Sequence, residues 1–196
     1  MAFRNDQVSD LETEKILAVA RECLATEGDF VEFGCYKGDT GLLLAEVVEK
    51  PVEKSGKRRL WLYDSFEGLP EKNEADFSEL GTEFREGELF VTKREVKGRF
   101  LRAGLPVPVI KKAWFRDLTL EDVPEKIAFA FLDGDFYESI LDSLRLVQDR
   151  VMIGGAIVVH DYNNLALPGV KKAVDEWLSR RNLETEAYKS LLIIWF

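Results

Sequence analysis

FLDGDFYESIL, at Phe131–Leu141, joins an apolar run to a helix-like stretch through two acids and a glycine. Upstream, Ile127–Leu132 is an unbroken apolar segment of strand length, the pattern of a strand buried on both faces. It meets Asp133-Gly134-Asp135 and passes into helical spacing over Glu138–Leu146, with Ile140, Leu141, Leu144 and Val147 facing inward. A buried strand that ends in carboxylates puts them at a sheet's carboxyl edge, where open α/β folds bind ligands. Gly154–Tyr162, GGAIVVHDY, repeats the device: a glycine turn, a buried strand over Ala156–Val159, then His160 and Asp161. His160 is the chain's only histidine. If the two strands are parallel neighbours, Asp133, Asp135, His160 and Asp161 converge on one point.

Outward from that point, strand and helix patterns alternate. Ser9 or Asp10 caps a helix carrying Leu11, Ile16, Leu17, Val19, Ala20 and Leu24 on one face, ended by Glu27-Gly28-Asp29. A strand at Phe30–Phe33 leads through Gly34-Cys35-Tyr36-Lys37-Gly38-Asp39-Thr40-Gly41 into a helix over Leu42–Val48 that stops before Pro51. Leu60–Tyr63 is the next strand. Glu71–Gly87 is polar, strongly acidic and aromatic-poor, with Phe77 and Phe84 as its only anchors, and is too long for an ordinary connection. A mobile lid or binding loop is expected there, within an insert region spanning 67–104. A helix over Glu88–Leu101, broken by Gly104 and Pro106, and a strand at Val107–Ile110 follow. A helix at Gly169–Arg180 and two closing strands, Glu184–Tyr188 and Ser190–Phe196, complete the chain. The alternation requires an α/β fold with a parallel, doubly wound sheet, and the final pair adds an antiparallel strand at its end. No repeat, linker or low-complexity segment divides residues 1–196, so one domain is expected.

The first strand, glycine loop and helix form a nucleotide-binding unit, because glycine lets a ligand approach the backbone and the helix start offers free N–H groups. The spacing is E-x-G-x-x-x-G, with Glu32 ahead of Gly34 and Gly38, and not the three-glycine dinucleotide fingerprint. A carboxylate here repels a pyrophosphate and suits an ammonium group. An amino-acid-bearing nucleoside such as S-adenosylmethionine fits that logic; a tight turn without ligand is the alternative. Asp64, at the end of the second strand, stands where an acid holds ribose hydroxyls, with a capping aspartate as the alternative. Trp114 and Phe115 leave the third strand and suit either purine stacking or rim packing.

A chain of 196 residues can bury roughly 70% of its unfolded surface, enough for one core. Its net charge of −9 lacks a compensating basic stripe, which argues against nucleic acid as a partner. Lys57-Arg58-Arg59 and Lys111-Lys112 are short runs that read as solvated faces. Cys23 and Cys35 have no metal-ligand spacing and read as reduced thiols. The polar start, MAFRNDQVSD, has no signal-peptide core, and no stretch is long enough to span a membrane. A cytoplasmic protein without membrane contact is expected.

VEFGCYKGDT, YDSFEGLP, FLDGDFYES, GGAIVVHDY and PGVKKAVDEW, in that order, resemble the macrocin O-methyltransferase (TylF) family from residue 30 to residue 180. DSFEGLP and LDGDxYES are the specific motifs. The resemblance implies a Rossmann-like class I methyltransferase fold, and a metal-dependent enzyme that methylates sugar hydroxyls of natural products. It further implies S-adenosylmethionine at the glycine loop and Asp64, and Mg²⁺ held by Asp133 and by a pair of acids after the fifth strand. Two departures stand out. His160-Asp161-Tyr162 replaces the family's Asp-Asp-Tyr, and the chain is short at its N-terminus, which bears on the sugar acceptor. An imidazole in place of an acid shifts preference towards Mn²⁺ or another transition metal.

The candidate donor-binding set is then Glu32, Gly34, Tyr36, Gly38, Thr40, Asp64, Ser65, Trp114, Phe115 and Asp133; the metal set is Asp133, His160 and Asp161. Asp135 is the candidate general base for the acceptor hydroxyl, or a helix N-cap; His160 is a metal ligand, or else a residue that packs or supports a ligand, and is the base in place of Asp135 if it is off the metal. Tyr162 and Asn163 are expected to face a small-molecule hydroxyl acceptor. Rival readings are a catechol or phenol acceptor on the same fold, a non-catalytic donor-binding module, and a nicotinamide enzyme. The lid's shortage of aromatics speaks against a flat acceptor, and the missing third glycine against the nicotinamide. An exposed sheet edge leaves a homodimer open.

Overall fold

The computed structural model describes residues 7–49, 58–80 and 84–196. The first six residues, Pro51, Lys57 and the middle of the acidic loop, on which part of the sequence reading falls, lie outside them. Helix α1 (Asp10–Glu22) is followed by β1 (Asp29–Phe33), α2 (Asp39–Val48) and β2 (Leu60–Asp64). Then come α3 (Lys93–Ala103), β3 (Val109–Lys112), β4 (Ile127–Leu132) and α4 (Tyr137–Val147). The chain continues through β5 (Val151–Val159), α5 (Pro168–Leu178), β6 (Glu184–Tyr188) and β7 (Leu191–Trp195). One sheet runs in the order β3-β2-β1-β4-β5-β7-β6. The first five strands of that order are parallel, and β7 is antiparallel to both β5 and β6. The expected doubly wound sheet is present, and its antiparallel end holds two strands.

Period-two alternation on the buried strands sends side chains to two cores. Phe30, Leu62, Phe129, Phe131, Val158 and Ile193 pack towards α1, α2 and α3. Val31, Phe33, Ala130, Leu132, Val159 and Ile194 pack towards α4 and α5. The strand order reverses between β1 and β4, and the crevice outside their carboxyl ends is the expected ligand position. Register aligns those ends: Phe33 sits opposite Leu132, and Leu132 opposite Val159. The Asp133 N–H donates to the Phe33 carbonyl at 2.8 Å, and the His160 N–H to the Leu132 carbonyl at 2.9 Å. Gly34, Asp133 and His160 therefore leave the sheet side by side.

Several boundaries differ from the sequence reading. The helix expected over 88–101 begins at Lys93, where Thr92 and Glu95 form a reciprocal capping box; Leu89 lies before it with φ 59°. The third strand is shifted to Val109–Lys112. Gly154-Gly155 is not a turn before the fifth strand but an irregularity within it: Ile127 pairs with Val151, and Phe129 with Ala156. Phe77 is no anchor, being 69% exposed, whereas its neighbour Asp76 is 1% exposed.

Candidate active site

The glycine loop is held by an acid. Asp64 Oδ2 accepts the N–H groups of Cys35 and Tyr36 at 3.0 and 2.9 Å, and Oδ1 accepts the Phe66 N–H at 2.7 Å. One carboxylate thus ties the end of β2 to the turn after β1. Burial pushes the Asp64 carboxyl up, and those N–H groups oppose the rise. Gly34 has φ +87°, and a Cβ there would lie 1.9 Å from the Asp133 carbonyl oxygen, so only glycine lets β1 and β4 meet here. Gly38 serves a different contact. It is the left-handed N-cap of α2, and a Cβ on it would face Val96 of α3 at 3.1 Å.

Glu32 points beneath the loop. It is 1% exposed, its Oε2 has no hydrogen-bond partner, and a Cβ at Gly41 would sit 2.8 Å from that oxygen. Burial, then Asp133, Asp64 and Asp39, push its carboxyl well above the usual range.

Across the crevice, His160 Nδ1 lies 2.9 Å from Asp133 Oδ1 and 3.1 Å from Asp161 Oδ2. One ligand atom from each of these three residues falls within 4.8 Å of the others. Burial disfavours the imidazolium, but the Asp133 and Asp161 carboxylates outweigh it and hold the His160 pKa well above its ordinary value. Asp135 sits beside them with φ 60°; burial, then the charges of Asp133 and Asp161, push its carboxyl well up. It does not cap α4: the N-cap is Phe136, without a side-chain bond.

One cavity brings together Gly34, Tyr36, Asp64, Ser65, Trp114, Phe115, Asp133, Asp135, His160 and Asp161 from the sequence-predicted set. Thr40 and Glu32 border a smaller adjoining space with Gly34, Tyr36 and Asp133, and Gly38 borders neither. Leu69, Pro70, Phe84 and Leu89 also line the cavity. Tyr162 and Asn163 do not face it: the Tyr162 hydroxyl donates to Asp175 Oδ1 at 2.7 Å, and Asn163 Nδ2 to the Lys189 carbonyl at 2.9 Å. Asn164, unnoticed in the sequence, does line it, and its Nδ2 donates to Asp161 Oδ1 at 2.9 Å. The D-x-x-N spacing of a turn, closed by Asn164 N–H to the Asp161 carbonyl at 3.0 Å, was the available signal.

Among the described residues no helix is long and apolar enough to cross a membrane. Known proteins share this arrangement of chain. A tetracenomycin enzyme of Streptomyces olivaceus, 8-demethyl-8-(2,3-dimethoxy-alpha-L-rhamnosyl)-tetracenomycin-C 4'-O-methyltransferase, is 34% identical over 160 residues, 78% of this chain and 59% of that protein. Demethyldecarbamoylnovobiocin O-methyltransferase of Streptomyces niveus is 30% identical over 165 residues, 81% of this chain and 61% of its own length. This chain therefore spans about three fifths of the curated relatives it matches. The solved structure of the O-methyltransferase NovP is 25% identical with a TM-score of 0.81, covering 94% of this chain and 78% of that one. The profile of the macrocin-O-methyltransferase (TylF) family matches residues 9–190, and the chain belongs to that family.

Proposed function

We propose that this protein transfers the methyl group of S-adenosylmethionine to a hydroxyl of a small molecule, a sugar of a glycosylated metabolite, with a divalent cation at Asp133, His160 and Asp161. The observation that carries this reading is one cavity joining the Asp64-bound glycine loop to the Asp133–His160–Asp161 cluster. The activities named for the tetracenomycin and novobiocin relatives support the reaction class.

The residues present fit both groups. The Gly34 cradle admits a ligand against the backbone, and the buried, unpartnered Glu32 oxygen suits an ammonium group. Asp64 Oδ1, with one N–H bound, keeps a lone pair for a ribose hydroxyl. Trp114 and Phe115, lining the same cavity, suit a purine face. Two carboxylate oxygens and an imidazole nitrogen suit a divalent cation, and the nitrogen favours Mn²⁺ or a later transition metal more than an all-oxygen set would.

When bound, the donor supplies an electrophilic sulfonium methyl, and the cation supplies positive charge that favours an ionised acceptor hydroxyl. In the reaction the acceptor oxygen bonds to the methyl carbon as the carbon–sulfur bond breaks, and the acceptor releases a proton. Asp135 takes that proton in this reading: it lines the cavity beside Asp133 and Asp161, and burial together with those charges pushes its carboxyl up, which favours its holding a proton. Leu69, Phe84 and Leu89 exclude water from the acceptor side.

Calorimetric titration with S-adenosylmethionine and S-adenosylhomocysteine, then with Mg²⁺ and Mn²⁺ before and after chelation, tests the reading directly. Labelled-methyl transfer to a panel of glycosides follows. Asp133→Ala should keep donor binding while losing more cation affinity than the ~10–100-fold typical of a lost outer partner. Full cation-dependent transfer in that variant, or no donor binding by the wild type, would sink the proposal.

A further inference from the structure

We propose that Asp76 is a positioning residue that fixes the acid loop after β4 and the acceptor-side lid to each other, so that both are set by one carboxylate. The inference rests on the functional reading above, because its main readout is cation binding at that loop.

Asp76 is out of character with its surroundings. It belongs to an acidic, largely exposed segment, yet is 1% exposed itself. A buried carboxylate needs partners, and Asp76 has two N–H donors from different parts of the chain. Oδ1 accepts the Tyr137 N–H at 2.7 Å, and Oδ2 accepts the Asn73 N–H at 3.0 Å. Tyr137 opens α4, whose N-cap Phe136 contributes no side-chain bond, so Asp76 caps the helix from 61 residues away. The charge also sits at the positive end of α4. That helix start is the far end of Asp133-Gly134-Asp135, and fixing it fixes where the loop's acids leave the backbone.

The lid side is equally specific. Asn73 and Asp76 form a reciprocal capping box around a short 3₁₀ turn. Asn73 Nδ2 also reaches Glu138 Oε1 at 3.2 Å, and Ser78 Oγ reaches the Leu165 carbonyl at 2.7 Å. At its base the lid is closed by Leu69 and Glu88, whose N–H and carbonyl meet at 2.8 Å. Leu69, Phe84 and Leu89 line the same cavity as the acids.

Gly169, in the first turn of α5, makes room for the carboxylate. A Cβ there would lie 1.9 Å from Asp76 Oδ1 and 3.0 Å from the Tyr137 nitrogen. The Gly169 φ is an ordinary one, so the backbone itself would accept alanine. Gly169→Ala therefore displaces the Asp76 carboxylate from the α4 start while leaving residue 76 itself an aspartate, and it also crowds the Tyr137 nitrogen.

The test compares Asp76→Ala, Asp76→Asn, Gly169→Ala and the double variant Asp76→Ala/Gly169→Ala in the full chain. Mn²⁺ affinity is measured by calorimetry with S-adenosylhomocysteine present, and the lid is probed by the rate of tryptic cleavage after Arg85. Asp76→Ala and Gly169→Ala should each weaken Mn²⁺ binding about 3–10-fold, with donor affinity held within about twofold. Cleavage after Arg85 should accelerate roughly 10-fold. Asn offers one acceptor oxygen to two N–H donors and should fall between wild type and Ala. The double variant should lose less than the sum of the two single losses, because the 1.9 Å clash with the carboxylate is gone and only the 3.0 Å approach to the Tyr137 nitrogen remains. Additive losses in the double variant, or unchanged Mn²⁺ affinity in Asp76→Ala, would overturn the proposal. A wild type that takes neither S-adenosylhomocysteine nor Mn²⁺ fails the functional reading instead, and the cleavage comparison still decides the anchor.

Discussion

Asp161 shows how one residue is made to do a defined job. It follows the strand with φ 59°, a left-handed backbone that aspartate tolerates better than most side chains, and Asp135 and Tyr36 around the same cavity share that conformation. Asn164 Nδ2 engages Oδ1, and Oδ2 faces His160 Nδ1 at 3.1 Å. Each oxygen therefore has its own partner, and rotation of the carboxylate would break both contacts. Asn164 in turn is fixed by the Ala166 N–H, which donates to its Oδ1 at 3.0 Å. Asn164→Ala should free the carboxylate and weaken divalent-cation binding about 10-fold, at the lower end for outer partners of a metal ligand. Calorimetric titration of Mn²⁺ measures the change; an unaltered affinity would mean that Asp161 needs no orienting partner.

At the scale of elements, the glycine loop is supported from behind by α3. Val96 and Phe100, both fully buried, pack against Gly38, while Arg99 Nη1 donates to the Lys37 carbonyl at 2.9 Å and Arg99 also pairs with Asp39. The Thr92–Glu95 capping box starts this helix. Thr92→Ala should cost about 1 kcal/mol, lowering the thermal midpoint by roughly 2–4 °C for a chain of this size. Thermal denaturation followed by circular dichroism checks the value, and no shift would make the cap dispensable. The T-x-x-E signature stood in the sequence, but Leu89 looked like the first apolar position of a longer helix. In fact Leu89 belongs to the cavity wall, a tertiary contact that periodicity alone does not reveal. The same division runs through the site. Asp133, His160 and Asp161 were legible because they end buried strands, and parallel register brings strand ends together. Asp76 was not, because its partner lies 61 residues away and its segment reads as solvated acid. Tyr162 misled because a tyrosine beside a site acid suggests an acceptor contact, whereas α5 offers Asp175 and Lys171 on the outside.

The molecule as a whole is closed by a bond between its first helix and its last hairpin. Glu12 of α1 accepts the Ser190 N–H at 3.0 Å and the Ser190 hydroxyl at 2.5 Å, 178 residues apart, and also the Ser9 hydroxyl. Lys189, preceding Ser190, receives Asn163 from the loop beside Asp161, so the hairpin tip links α1 to the active-site edge. Burial works against the Glu12 carboxylate, but the Ser190 and Ser9 hydroxyls and the Ser190 N–H outweigh it and lower the pKa to about 2. An unfolded glutamate titrates near ~4.3, so the folded protein holds the charged form more strongly. The resulting stability is present above that value and lost as pH falls towards 2. The carboxylate is not wholly removed from solvent, which keeps the contribution on the order of 1 kcal/mol. Glu12→Gln removes the titrating group while preserving shape. Wild type should therefore unfold roughly 2–4 °C above Glu12→Gln at pH 7, the gap closing below about pH 3 as Glu12 takes up its proton. Paired thermal scans across that range cancel the titration of the other carboxyls. A gap that persists unchanged at low pH would assign the difference to packing and leave the hairpin without an electrostatic tie to α1.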